Sequence, residues 1–139
     1  VILEVEVVTE SKIGPSWIVF ETFEDSRGVL EVIESSKLPF RPARFFFTSV
    51  NEDGAERGSH AHKECWQILF CLSGEIEVQR VWSSGSEVYH LRANGKALVI
   101  PPGNWCREVF ITKQSLMGVI ASHSYDPTDY MYRFEEIQD

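Results

Sequence analysis

Arg57-Gly58-Ser59-His60-Ala61-His62, followed by Gln67 and then by Gly74, is the stretch whose reading decides the fold. Two histidines one residue apart share a face only in an extended backbone, because successive strand side chains point to opposite faces. His60 and His62 therefore read as same-face residues of a β-strand. A same-face imidazole pair suits either a metal centre or a two-handed proton-transfer site, since the ring nitrogens ligate metals and exchange protons near neutral pH. A third reading is a polar element of a β core, bonded to Gln67 and a backbone carbonyl. Arg57 and Gly58 weigh against that reading, because a cation and a pliable backbone beside two titratable groups suit a pocket for an anionic substrate.

Outward from this stretch, aromatic and β-branched runs recur between turn residues, and helical periodicity is scarce. Strands are predicted near residues 17–23, 29–34, 44–50, 66–72, 75–82, 87–91, 96–100, 107–110 and 116–122. The clearest alternation sets Ile76, Val78 and Trp82 against Glu75, Glu77 and Gln79, with Arg80 breaking the apolar side. Turn chemistry separates the runs at Ser26-Arg27-Gly28, Asn51-Glu52-Asp53-Gly54, Ser83-Ser84-Gly85-Ser86, Asn94-Gly95 and Pro101-Pro102-Gly103-Asn104. The expectation is an all-β sandwich or small barrel, with jelly-roll closure dealing with exposed edges. Asp126-Pro127-Thr128-Asp129 opens a tail that predicts one short C-terminal helix through Met131, Phe134 and Ile137.

With 139 residues the chain is expected to form a single domain over residues 1–139. Starting at Val1 without a methionine, it reads as either a domain cut from a longer protein or a trimmed chain, which permits a bifunctional parent without supporting one. A formal net charge of -8 argues against a nucleic-acid or anionic-membrane binder, whose surface needs to be basic. Cys65, Cys71 and Cys106 are odd in number and lie in or beside apolar stretches, which fits reduced thiols and the cytoplasm. No apolar run approaches the roughly 20 residues of a membrane span. His90 and His123 read as surface residues.

Gly58, His60, His62, Gln67 and Gly74 follow the first cupin motif, and Gly95, Pro101, Gly103 and Cys106 follow the second. The chain thus resembles a cupin, which implies a double-stranded β-helix jelly-roll barrel. Where metal-binding cupins carry a carboxylate and a third histidine, this sequence has Gln67 and Cys106. An amide oxygen is a weak substitute ligand for a divalent ion, so no metal is expected, and a His60, His62, Cys106 zinc set is the alternative.

A longer set of motifs narrows the resemblance. Asp25-Ser26-Arg27-Gly28-Val29-Leu30, Leu38-Pro39-Phe40, Arg44 before an aromatic strand, the Arg57 to His62 string, Cys71-Leu72-Ser73-Gly74, Pro101-Pro102 with Trp105, and Tyr125-Asp126 with Asp129-Tyr130 resemble the nucleotide-sugar 3,4-ketoisomerases. The resemblance implies a metal-independent, cofactor-free tautomerisation that moves a ketone from C4 to C3 of a dTDP-linked keto-deoxysugar. It implies His60 and His62 as the acid/base pair, and Arg57 and Arg44 as partners of the pyrophosphate or the enediolate. Gln67 is expected to hydrogen-bond a histidine or the sugar, and Trp105 to stack on thymine or cover the sugar. A Trp in an all-β domain is also an ordinary core or interface residue, and Arg44 an ordinary exposed strand residue. The family further implies a homodimer with exchanged N-terminal strands, for which residues 1–8 are the candidate.

One departure stands out: Phe45-Phe46-Phe47 occupies a strand where relatives often carry tyrosine, a side chain able to donate a proton. The rival functions are a non-catalytic nucleotide-sugar sensor, a 3,5-epimerase of the same fold, and a metal-dependent dioxygenase.

Overall fold

A computed structural model describes residues 16–93 and 95–133. In chain order its strands are β1 (Ser16–Val19), β2 (Glu21–Asp25), β3 (Gly28–Val32), β4 (Arg44–Ser49), β5 (Ala55–His62) and β6 (Gln67–Ser73). They continue with β7 (Glu75–Trp82), β8 (Gly85–Arg92), β9 (Lys96–Ile100), β10 (Trp105–Phe110), β11 (Leu116–Ala121) and β12 (Tyr130–Met131). One five-stranded sheet runs β1-β9-β6-β11-β4, a second runs β12-β5-β10-β7-β8, and β2 and β3 form a separate hairpin. All pairings are antiparallel.

The two sheets bury a shared core. Leu69, Cys71, Leu98, Ile100, Met117 and Val119 from the first sheet pack against Ile76, Val78, Leu91, Cys106 and Phe110 from the second. On β7 the alternation behaves as the sequence requires, with Ile76 and Val78 inside and Glu75, Glu77 and Gln79 partly exposed. On β6 there is no alternation at its start, Gln67 to Cys71 being buried throughout. The reason is a second cluster on the outer face of the first sheet, in which Ile18, Phe20, Ile68, Phe70, Val99 and Ile120 are covered by Leu38, Phe40 and Trp66. A strand buried on both faces needs apolar residues at every position.

The all-β jelly roll of cupin type is present, with its ladder left as two packed sheets rather than joined into a ring. The expected strand 17–23 is split. Phe20 leaves β1 to donate its N–H to the Gly95 carbonyl at 2.7 Å, and β2 turns away to pair with β3. The short C-terminal helix does not form over Tyr130 and Met131, which instead pair with His62 and Ala61 as β12. Its first turn is only a 3-10 turn at Pro127–Asp129, capped by the Asp126 side chain accepting from the Thr128 N–H. Met131 is held by a small cluster with Ala61 and Trp105, and that burial outweighs the weak helical pattern. Phe134 and Ile137 lie outside the described residues, as do residues 1–8, the candidate exchanged strand. Among the described residues no helix is long and apolar enough to cross a membrane.

Candidate active site

The site is built on a β-bulge. Strand β5 pairs with β10 so that His60 opposes Cys106, Gly58 opposes Arg107 and Arg57 opposes Glu108, leaving Ser59 as the extra residue. Gly58 and Ser59 both adopt positive φ, at 82° and 64°. For Gly58 this costs little, whereas Ser59 loses about 1–2 kcal/mol to the left-handed backbone. In a regular strand Arg57 and His60, three positions apart, point to opposite faces. The extra residue returns Arg57 to the histidine face, and both side chains line one cavity.

That cavity, of about 140 Å³, is lined by Phe46, Thr48, Arg57, Gly58, His60, Gln67, Met117, Val119 and Tyr130. His60 lies at its wall and His62 behind it, with ring centroids 5.0 Å apart and planes nearly perpendicular. The Tyr130 ring packs against both, at 4.7 Å from His60 and 4.5 Å from His62. Phe46 faces the cavity, while Phe45 and Phe47 point outward and are exposed.

His62 is held from behind. Its Nδ1 lies 3.0 Å from Asp129 Oδ2, and the same carboxylate accepts the Glu64 N–H at 2.8 Å and the Cys65 N–H at 3.3 Å. The Asp129 carbonyl accepts the Lys63 N–H at 2.8 Å. An ionised carboxylate only accepts, so Nδ1 is the protonated nitrogen and Nε2 keeps its lone pair. Nε2 of His62 and Nδ1 of His60 are both buried without a hydrogen-bond partner among the described residues.

The environment sets the charge states. Burial, with the neighbouring His62 adding to it, pushes His60 down to about 4. His62 is also lowered, chiefly by burial, although its hydrogen bond to Asp129 and that carboxylate's charge work upward. Both rings are therefore neutral at pH 7, and the pair begins as bases.

Arg57, His60 and Gln67 meet at the cavity, and His62 stands one ring behind. Arg44, at the start of β4, lies over the Phe46 and Tyr125 rings with its Nε buried and without a hydrogen-bond partner among the described residues, near enough to depress His62 by its charge. Trp105 is not brought to the cavity. It packs with Ala61, Val81 and Met131 on the face of β5 away from the histidines, as its position next to inward Cys106 dictates. His90 and His123 are surface residues, beside Glu75 and Ser122. Asp129 and Tyr130 are the additions that residue-by-residue reading did not single out. The signal available was their place in the tail motif.

His60, His62 and Cys106 do not form a ligand set. The grouping that brings three ligand atoms within 4.8 Å of one another, among the described residues, is His62, Cys65 and Asp129. Its atoms are already accounted for, since Asp129 takes three N–H groups and the Cys65 thiol donates to the Trp66 carbonyl at 3.4 Å. Cys106 is fully buried and its thiol is pushed far up by burial, which keeps it protonated and a poor ligand.

The chain matches the protein family described as FdtA: WxcM-like, C-terminal, over residues 13–139. It is 32% identical over 124 residues, 87% of this chain and 88% of the relative, to the TDP-4-oxo-6-deoxy-alpha-D-glucose-3,4-oxoisomerase of Aneurinibacillus thermoaerophilus. Among solved structures it resembles a double mutant of the QdtA 3,4-ketoisomerase from Thermoanaerobacterium thermosaccharolyticum in complex with TDP. The TM-score is 0.83 and the identity 29%, over 87% of this chain and 88% of that one. A histidine-to-asparagine mutant of the same QdtA, in complex with TDP-4-keto-6-deoxyglucose, matches with a TM-score of 0.83 and 27% identity over the same shares.

Proposed function

Because the chain belongs to the FdtA family, we propose that it is a sugar-nucleotide isomerase that moves the ketone of a dTDP-linked 4-keto-6-deoxyhexose from C4 to C3. The observation that carries this reading is the neutral imidazole pair at the cavity, with His60 on the wall and His62 fixed behind it by Asp129. The C3 proton is acidic because it lies alpha to the C4 carbonyl. His60 takes it, the C3–H electrons form a C3=C4 bond, and negative charge moves to the C4 oxygen. The C4 oxygen takes up a proton as the C3 hydroxyl gives one up, and the imidazolium then returns its proton to C4 as the ketone forms at C3. His62, whose imidazolium form the Asp129 carboxylate stabilises, is the second proton-transfer group of the pair, and its Nε2 is the nitrogen left to take or return a proton.

Arg57 supplies positive charge at the cavity for the enediolate, and its planar fork also suits the pyrophosphate. Arg44 is the second cation assigned to the nucleotide, and Gln67 a hydrogen-bonding partner of the sugar. The polarising charge comes from these side chains rather than from a metal ion, in keeping with neutral Gln67 and protonated Cys106 where metal cupins carry ligands. Trp105 retains a place in this scheme only as the support beneath β5, its ring lying on the far face. The reaction belongs to cytoplasmic deoxysugar biosynthesis that feeds surface glycans, within one domain. A homodimer is supported by Phe45 and Phe47, two exposed aromatic rings on the edge strand β4, with residues 1–8 as the exchanged segment.

The test is incubation with dTDP-4-keto-6-deoxyglucose in deuterated water, followed by NMR. Isomerisation gives a 3-keto sugar carrying deuterium at C4, epimerisation exchanges C3 and C5 with the ketone unmoved, and a sensor exchanges nothing. His60→Asn is expected to lower kcat by about 100-fold or more with dTDP binding retained. Activity lost on exhaustive chelation refutes the metal-free reading.

A further inference from the structure

One buried titratable group has no part in the histidine chemistry. Glu108, on β10, points into the barrel between Cys106 and Phe110, and it is the one carboxylate among the buried polar residues described. Burying a carboxyl costs several kcal/mol unless it is neutral or paired. Its position is specific. A Cβ built on Gly58 would overlap Glu108 Oε2, so the carboxyl fills the place that any larger residue at 58 would take. Gly58 is itself part of the cavity wall, and Arg57, directly opposite Glu108 in the ladder, is another part.

The reaction has a need that the histidines do not meet. Both start neutral, the His62 Nδ1–H is held by Asp129, and the proton His60 takes from carbon is the one returned to C4, so the proton for the oxygen that becomes charged has to come from another group. Resting on the isomerase reading, we propose that Glu108, whose carboxyl lies against Gly58 of the cavity wall, is the acid of the reaction and hydrogen-bonds the sugar oxygens at C3 and C4.

The protons balance over the full cycle. As His60 takes the C3 proton and the C4 oxygen becomes negative, Glu108 gives its proton to that oxygen, leaving the enediol and a carboxylate. The carboxylate then takes the hydroxyl proton from the C3 oxygen, the C3=O bond forms, and the imidazolium returns its proton to C4. Histidine and carboxylic acid are both regenerated. The two oxygens of one carboxyl group suit two oxygens on adjacent carbons.

The electrostatics agree. Burial pushes Glu108 up to about 8, opposed by its own backbone N–H and by the Arg57 charge, so the group is mostly protonated at pH 7. The charged and titratable groups around it are Arg57 on β5, with His60 opposite Cys106 on the same strand, and Cys106 on its own strand. On β7, Arg80 lies beyond Cys106 and the residue directly opposite is apolar Val78. Thr48 and Tyr130 also bring O–H groups to the cavity, and the phenol of Tyr130, the more acidic, is the rival donor.

The proposal is tested with Glu108→Gln, Glu108→Met and Tyr130→Phe, each checked for folding by thermal melting. Kinetics on dTDP-4-keto-6-deoxyglucose should show kcat for Glu108→Gln reduced by about 100-fold with KM little changed. Wild-type kcat should fall as pH rises past about 8, and this limb should vanish in the variant. A second readout does not require turnover. The carboxylic-acid carbonyl band in difference infrared spectra, identified by its loss in Glu108→Gln, should shift when the TDP-sugar binds. An unshifted band overturns the proposal even if the wild type isomerises nothing, which would refute the isomerase reading separately. Wild-type rates in both Glu108 variants, with Tyr130→Phe inactive, assign the acid to Tyr130 instead.

Discussion

Asp129→Asn removes one charge and exchanges one oxygen for an NH2 group, and the three N–H groups on this carboxylate determine how the site responds. If the amide keeps its oxygen on the Glu64 N–H, its NH2 faces Cys65 N–H and His62 Nδ1. Nδ1 must then accept, the proton moves to Nε2, and His62 presents a donor where it presented a lone pair. If the amide flips, the tautomer survives and Glu64 N–H turns to solvent, but the bond to His62 is no longer charge-assisted. Charged hydrogen bonds contribute about 1.5–3 kcal/mol and neutral ones about 0.5–1.5, so the imidazolium loses roughly 1–2 kcal/mol of support. Since each 1.36 kcal/mol is a factor of ten, kcat drops by about 5- to 30-fold in the flipped state. Full tautomer inversion takes it toward ~10⁴, as for an Asp-to-Asn change behind a catalytic histidine in serine proteases. KM for the TDP-sugar should stay within about twofold, because binding does not use the imidazolium. Steady-state kinetics give the split, and ¹⁵N NMR of labelled histidine reports which ring nitrogen is protonated. A variant with wild-type kcat and an inverted tautomer would refute the role given to His62.

Gly58→Ala should destabilise the fold by about 2–4 kcal/mol in urea unfolding, from a left-handed backbone at φ 82° plus overpacking against Glu108. Adding Glu108→Ala should recover the overpacking part, and purely additive losses would show that the two do not touch. His60 titrates at about 4 in the fold against 6.5 in the unfolded chain, so the unfolded state binds more protons between those values. Stability should therefore fall as pH drops from 6.5 towards 4. In His60→Gln the decline over that window should be shallower by on the order of 2–3 kcal/mol, less what solvent screening removes, and parallel curves would contradict the burial argument.

Where the determinants are local and periodic, the sequence carried them. The period-2 pattern of β7 and the His-x-His spacing on β5 predict the strands and the shared face, and the same rule separates Trp105 from Cys106. Ser59 is different, because one unpaired residue in a strand leaves no periodic trace, and its effect on Arg57 appears only from the pairing with β10. Asp129 is 67 positions from His62 in sequence, and no local pattern ties a carboxylate to a histidine at that separation. Met131, Phe134 and Ile137 have helical spacing, yet Met131 found a partner across the ladder at Ala61. Glu108 reads from sequence as one more acidic strand residue. Only the missing side chain at Gly58 gives it a place to be buried.

On the roles proposed for the histidine pair, Asp129 and Tyr130, the two-residue strand β12 ties catalysis to the order in which the chain is made. Tyr130 lines the cavity and Asp129 fixes His62, yet both belong to a stretch that joins the fold late in the chain, through the short pairing with the end of β5, the bonds of Asp129 to residues 62–65 and the burial of Met131. On a ribosome the two five-stranded sheets, apart from β12, are complete in sequence once Ala121 has emerged. The imidazole pair is then already present but unbuttressed, and enzymatic competence waits on about ten more residues, so activity reports the docking of the tail rather than the formation of the core.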